Sequence, residues 1–168
     1  MKGHYGKYRG TVVQNIDPMN IGRILVMVPD ALNVIPSSWA TPCLPFAGIQ
    51  NGFFAVPAIG SGVWVEFEQG DTDYPIWSGC FFGTAAEVPA LALATPPGLQ
   101  SVVIQTVGQN TLMISDTPGP TGGILLKTTT GAMISISEIG IVISNGQGAT
   151  IAMTGPAVTV NEGALVVT

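Results

Sequence analysis

The stretch from Leu99 to Thr168 decides the fold. It reads SVVIQT (101–106), TLMISD (111–116), GILLKT (123–128), AMISIS (132–137), GIVIS (140–144), ATIAMT (149–154), AVTVN (157–161) and ALVVT (164–168), with Gly, Pro, Asn or Ser between the runs. Apolar pairs two residues apart recur at Leu112/Ile114, Ile124/Leu126, Ile134/Ile136, Ile141/Ile143, Ile151/Met153, Val158/Val160 and Leu165/Val167. From Ile114 through Ile124, Ile134, Ile141, Ile151 and Val158 to Leu165 the steps are 10, 10, 7, 10, 7 and 7 residues. Such a period marks a repeat architecture.

Each unit reads as a strand of about five residues with two-residue alternation, closed by a tight turn. The face opposite the apolar pairs carries Thr111, Ser115, Ser135, Ser137, Ser144, Thr150, Thr154 and Thr159, all small and hydroxylated. Only Asp116, Lys127, Glu138 and Glu162 are charged from 99 onward. A β-helix made from one chain needs roughly 18 or more residues per coil to supply every side of its prism. A unit of seven to ten residues supplies one side. A lone ribbon of this kind leaves apolar side chains and strand edges bare, an aggregation hazard. Threefold closure removes both, so the repeat predicts an obligate homotrimer with the seven apolar pairs turned toward its axis.

Composition points the same way. The chain has 168 residues, enough for one or two small domains. Its mean hydropathy is +0.47 with only 9% charged residues, which argues for large surfaces buried between chains. No apolar run reaches the roughly 18 residues of a membrane span, and the N-terminal MKGHYGKYRG has no apolar export signal. Net charge is −5, and no basic stripe suited to nucleic acid is present. Cys43 and Cys80 lie in apolar surroundings and read as two buried thiols rather than a disulfide scaffold.

The first half reads as five short strands. Residues 1–9, with the lone His4, form a flexible or partner-bound arm. Strands follow at Tyr8–Gln14, at Gly22–Pro29 with Ile24, Val26 and Val28 on one face, and at Trp39–Leu44. Asn15–Asn20 makes a turn through Asx and Pro chemistry, and Asp30–Ser37 is a loop. The long Gly- and Pro-rich loop Pro45–Ser61 carries Phe53 and Phe54, which either mark a contact surface or fold over a barrel mouth. A fourth strand at Gly62–Glu68 sets Val63, Val65 and Phe67 against Trp64, Glu66 and Glu68. The fifth spans Ile76–Phe82. The pattern fits a small closed barrel of OB type, and no segment has helical periodicity. The expected organisation is therefore all-β: an OB-fold barrel with its arm at 1–83, a linker at 84–99, and a trimeric, intertwined triple-stranded β-helix at 100–168.

Nothing in the sequence assembles a catalytic site. Asp71 and Asp73 in GDTDYP suit a turn in which carboxylates cap backbone amides better than a cation site. Glu66 and Glu68 share a strand face with Trp64 but have no histidine or basic orienter, and Ser37-Ser38 has no general base. Gly60-Ser61-Gly62 precedes a strand, so it is not a phosphate loop. Trp39, Trp64, Trp77, Phe81 and Phe82 are available for base stacking, but Arg23 is the only basic residue between Gly10 and Gln100. These aromatics are assigned to barrel core or interchain contact. No enzyme activity, cofactor or metal is expected.

The motifs GTVVQNIDPMNIGRILVMVP, SSWATPCLPFAG, VPAIGSGVWVEFEQGDTDYPIWSGCFFG and TGPAVTVNEGALVVT, in this order, resemble the central spike of contractile injection machines. That family comprises gpV-type baseplate proteins of phage tails and pyocin-like particles, and the equivalent portion of the type VI protein VgrG. The resemblance covers about residues 8–83 and 100–168. It implies a trimer of OB barrels under a tube hub, continued by a β-helix that sheath contraction drives through the target membrane. This chain shows no hub domains, so a separate hub protein is expected at the barrel end. It shows no lysozyme-like domain and no apical histidine pair, so a PAAR-type tip protein is expected to contact Ala164, Leu165, Val166, Val167 and Thr168. Assembly is expected in the bacterial cytoplasm, with the product in the baseplate of a tail-like particle. The rival readings are a receptor- or carbohydrate-binding trimeric fibre and an OB-type nucleic-acid module, the latter disfavoured by charge.

Overall fold

A computed structural model of the chain describes residues 3–167, with the side chains of Val166 and Val167 outside that description. The chain forms two compact units that divide between Glu87 and Val88, within the stretch read as a linker. Both are built from strands, as the alternating patterns require. No helix among the described residues is long and apolar enough to cross a membrane.

In the first unit the strands are β1 (Tyr8–Gln14), β2 (Leu25–Met27), β3 (Thr41–Pro42), β4 (Ala47–Gly48), β5 (Asn51–Gly52), β6 (Gly62–Phe67) and β7 (Pro75–Phe81). Five of them form one sheet in the order β2-β1-β6-β7-β3. Antiparallel bridges from Ile24 to Ala40 and from Met27 to Pro36 bring the segment before β3 back onto β2, which closes the sheet into a barrel. Alternation decides what fills it. Val12, Ile24, Val26, Val28, Ala40, Val63, Val65, Phe67 and Trp77 point inward and form a single buried cluster.

Several expectations need correction here. The third strand is regular only at Thr41–Pro42, because its earlier residues pair through isolated bridges. Pro29, read as the end of a strand, and the start of Asp30–Ser37, read as a loop, form a one-turn helix, α1 (Pro29–Leu32), where Pro29 supplies a helix-ready φ. The arm is not free: the His4 amide donates to the Gly70 carbonyl at 2.9 Å, and its ring meets Tyr8 and Phe67. Cys43 and Cys80 are unpaired but exposed, not buried. Cys43 lies just past β3 and Cys80 is the next-to-last residue of β7, where an apolar sequence neighbourhood does not guarantee cover. The long loop carries the hairpin β4–β5 and leaves Phe53 and Phe54 exposed in the single chain, the contact-surface alternative.

The second unit begins with a one-turn helix, α2 (Ala90–Leu93), where an extended segment was expected. Eight strands follow: β8 (Ser101–Gln105), β9 (Thr111–Ser115), β10 (Gly123–Lys127), β11 (Met133–Ser137), β12 (Gly140–Ser144), β13 (Thr150–Thr154), β14 (Ala157–Val160) and β15 (Leu165–Val167). Each is antiparallel to its sequence neighbours, so they make one eight-stranded meander. Strand edges are thus paired within the chain, whereas the sequence reading had them paired with neighbouring chains. The turns explain this, because connections of two to seven residues favour hairpins over crossovers. What one chain leaves open is a face.

Candidate functional site

That face is built by register. Ile124 pairs with Ile114 and Ile136, and Leu126 with Leu112 and Ile134. Ile141 pairs with Ile136 and Met153, and Ile143 with Ile134 and Ile151. Val158 and Val160 continue both lines from Met153 and Ile151 to Val167 and Leu165. The result is two unbroken aliphatic columns running through every strand of the meander. All fourteen residues read as trimer core fall in them. Two further members, Val102 opposite Ile114 and Ile104 opposite Leu112, were missed. The signal was present, since SVVIQT repeats the two-apart pair ten residues before Leu112/Ile114.

Most of each column is exposed in the single chain, with Leu112, Ile141, Val158 and Val160 half-buried. Ile114, Ile124, Leu126, Ile134, Ile136, Ile143, Ile151 and Met153 are all exposed large hydrophobics. By contrast Thr111, Met113 and Ser115, on the other face of β9, are buried. A groove of about 550 Å³ opens along Ile104, Leu112, Leu126, Ile134 and Ile143. Each aliphatic side chain gains roughly 1.5–3 kcal/mol on full burial, so a continuous face of them is an interaction surface, not a solvent face. Of the residues read as tip contacts, Ala164 and Leu165 are exposed. Leu165 opens β15, which pairs only with β14 among the described residues. The Val166 and Val167 side chains and all of Thr168 lie outside the described residues.

The barrel motifs serve architecture. Asp17 is 5% exposed, and its carboxylate accepts from the amides of Met19 (3.0 Å), Ile21 (3.0 Å) and Arg23 (3.2 Å). The Arg23 guanidinium donates to the same carboxylate through Nε at 3.1 Å and Nη2 at 2.7 Å. That guanidinium, with the three amides and against the opposing effect of burial, holds the Asp17 carboxyl well below the ordinary carboxylate range. The guanidinium also lies over the Trp39 ring, 5.5 Å from its centroid. The DP-x-x-x-GR and WA-x-P motifs are therefore one contact, which strand patterns alone did not predict.

The other polar candidates are structural too. Asp71 Oδ1 accepts from the Asp73 amide at 3.0 Å, which is the turn capping expected of them. Ser37 Oγ accepts from the Val26 amide and donates to the Ser38 carbonyl. Lys7 bridges Glu66 and Ser78. Arg9 sits over Trp64 and Phe81 on the outer wall. Among the described residues, no three His, Cys, Asp or Glu side chains converge as a metal site.

Residues 8–82 match the type VI secretion system/phage-baseplate injector OB domain, and residues 101–166 match the phage baseplate V C-terminal trimerisation domain. The chain is similar to the actin cross-linking toxin VgrG1 of Vibrio cholerae, at 37% identity over 86 residues, 49% of this chain and 8% of that protein. It is also similar to the type VI secretion system spike protein VgrG3 of Vibrio cholerae, at 31% identity over 109 residues, 60% of this chain and 10% of that protein. The chain thus spans about a tenth of the length of these curated relatives.

Proposed function

The chain belongs to the gpV/VgrG-type spike family of baseplate proteins, and from that premise we propose that three copies form the membrane-piercing central shaft of a contractile injection machine. The observation that carries this is the pair of largely exposed aliphatic columns. Three such faces turned inward make a prism whose core is the fourteen predicted residues together with Val102 and Ile104. The opposite face then carries Ser and Thr in its flanking rows beside a central line of Val103, Met113, Leu125, Ser135, Val142, Ala152 and Thr159, so it is mixed rather than uniformly hydroxylated as the sequence suggested.

The shaft gains stiffness from strands already paired within each chain and kinetic stability from closure. Opening it exposes all three faces together, so resistance to heat and SDS follows. A hub protein at the barrel end and a PAAR-type tip at Ala164–Thr168 complete the proposed assembly, formed in the bacterial cytoplasm and carried in a tail-like particle. The two matched domains are structural, and no catalytic step is proposed for them.

Affinity purification of the tagged chain from its own cells, under conditions that assemble tail-like particles, tests the placement. Tube, hub and tip proteins should co-purify, with the tag located at the baseplate end by gold labelling. Labelling confined to distal fibres would replace the spike reading with the receptor-binding one.

A further inference from the structure

The columns pose a register problem. A two-residue slip between neighbouring strands keeps every aliphatic side chain on its own face and keeps one of the two aliphatic pairs per strand. Apolar contact alone therefore discriminates poorly between ladders. Polar groups along one edge of the meander supply what is missing.

Four turns stack on that edge: 106–110, 128–132, 145–149 and 161–164. Three share one closure, an amide donating to the carbonyl four residues on: Thr106 to Asn110 (3.1 Å), Thr128 to Ala132 (2.9 Å) and Asn145 to Ala149 (3.1 Å). In each, the fourth residue has a left-handed φ: Gln109 at 63°, Gly131 at 92° and Gly148 at 102°. Each turn also touches the next. The Thr129 amide donates to Asn110 Oδ1 at 3.3 Å, and the Thr129 hydroxyl donates to the Gly108 carbonyl. A Cβ on Gly146 would lie 2.6 Å from the Gly131 carbonyl carbon, so these two turns are in backbone contact. The Thr150 amide donates to Asn161 Oδ1 at 3.0 Å.

We propose that this column of turns is the register lock of the shaft, with Asn110, Thr129 and Asn161 as its positioning residues. A slipped strand carries its turn out of reach of the next, so each bond exists in one register only. Because three copies must present matching rows, the lock selects which aliphatic residues meet in the trimer; that consequence rests on the trimer reading, while the lock itself lies within one chain.

The test uses the full chain with Cys43 and Cys80 changed to Ser. Met113→Cys with Leu125→Cys reports the observed pairing of β9 and β10, the strands that the Asn110–Thr129 contacts hold together, and Ser115→Cys with Leu125→Cys reports the slipped one. Oxidation to a direct disulfide should join the first pair and not the second, because diagonal neighbours lie about 7–8 Å apart, beyond the reach of an S–S bond. Adding Asn110→Ala and Thr129→Val should lower the ratio of first to second about fivefold or more, the worth of one net hydrogen bond. An unchanged ratio overturns the lock, and a parent that never crosslinks at 113 and 125 overturns the register on which it stands. A monomer by light scattering that still crosslinks correctly would defeat the trimer reading and leave the lock standing.

Discussion

Trp77 donates its indole N–H to the carbonyl of Gly22 across 3.1 Å, joining β7 to the turn that enters β2. Both residues are buried. Gly22 has φ +83°, and a Cβ there would press on the Phe54 ring at 3.3 Å, so the position needs glycine. Replacing Trp77 by Phe keeps an aromatic core but orphans the Gly22 carbonyl. The barrel should lose about 1–3 kcal/mol, the cost of one buried unsatisfied group. Urea unfolding followed by Trp39 and Trp64 fluorescence measures it, since all three tryptophans lie in the first unit.

The Asp17–Arg23 pair makes barrel stability depend on pH. A carboxyl whose folded pKa lies below its ordinary 3.8 stabilises the fold above that value. The contribution is fully present at neutral pH and drains as pH falls below about 4 toward the folded value. The tryptophan-monitored urea midpoint should therefore hold between neutrality and about pH 5 and drop steeply below 4. Asp17→Asn should lower the neutral midpoint and remove much of that acid slope.

Ile141→Asp places a carboxylate in an aliphatic column, where three copies would meet without a counter-charge. Trimer formation should be lost, because an unpaired buried charge costs several kcal/mol per ion. Ser135→Asp, on the opposite face, should leave assembly intact. Sedimentation of the two variants side by side reads the difference.

Gly123 opens β10 at φ +82°, with its α-carbon face against the Ile136 carbonyl. Gly123→Ala brings a side chain onto that oxygen and imposes a φ that alanine resists. The ladder should weaken by more than about 1 kcal/mol. The melt of the SDS-resistant species should fall, while the tryptophan-reported barrel transition stays in place.

The aliphatic columns were legible because two-residue alternation writes burial directly into sequence, and the barrel core residues Val63, Val65 and Phe67 were legible for the same reason. Which edges pair was not, since Ile opposite Ile satisfies a neighbour in the same chain as well as one in another. The Asp17–Arg23 contact escaped notice because it depends on turn geometry, which places six-apart residues together only once Pro18 and Gly22 bend the chain. Cys43 and Cys80 misled because apolar neighbours in sequence need not cover a strand end. The turn column was hidden by composition: TVGQN, TTTGA and NGQGA share a hydrogen-bonding pattern, but no position carries the same residue in all three.

Light scattering on the purified chain tests the central claim most directly. Closure of the aliphatic columns predicts a mass three times the 17.3 kDa of one chain, unchanged on dilution. A 17.3 kDa species with a folded barrel and an intact meander would contradict it.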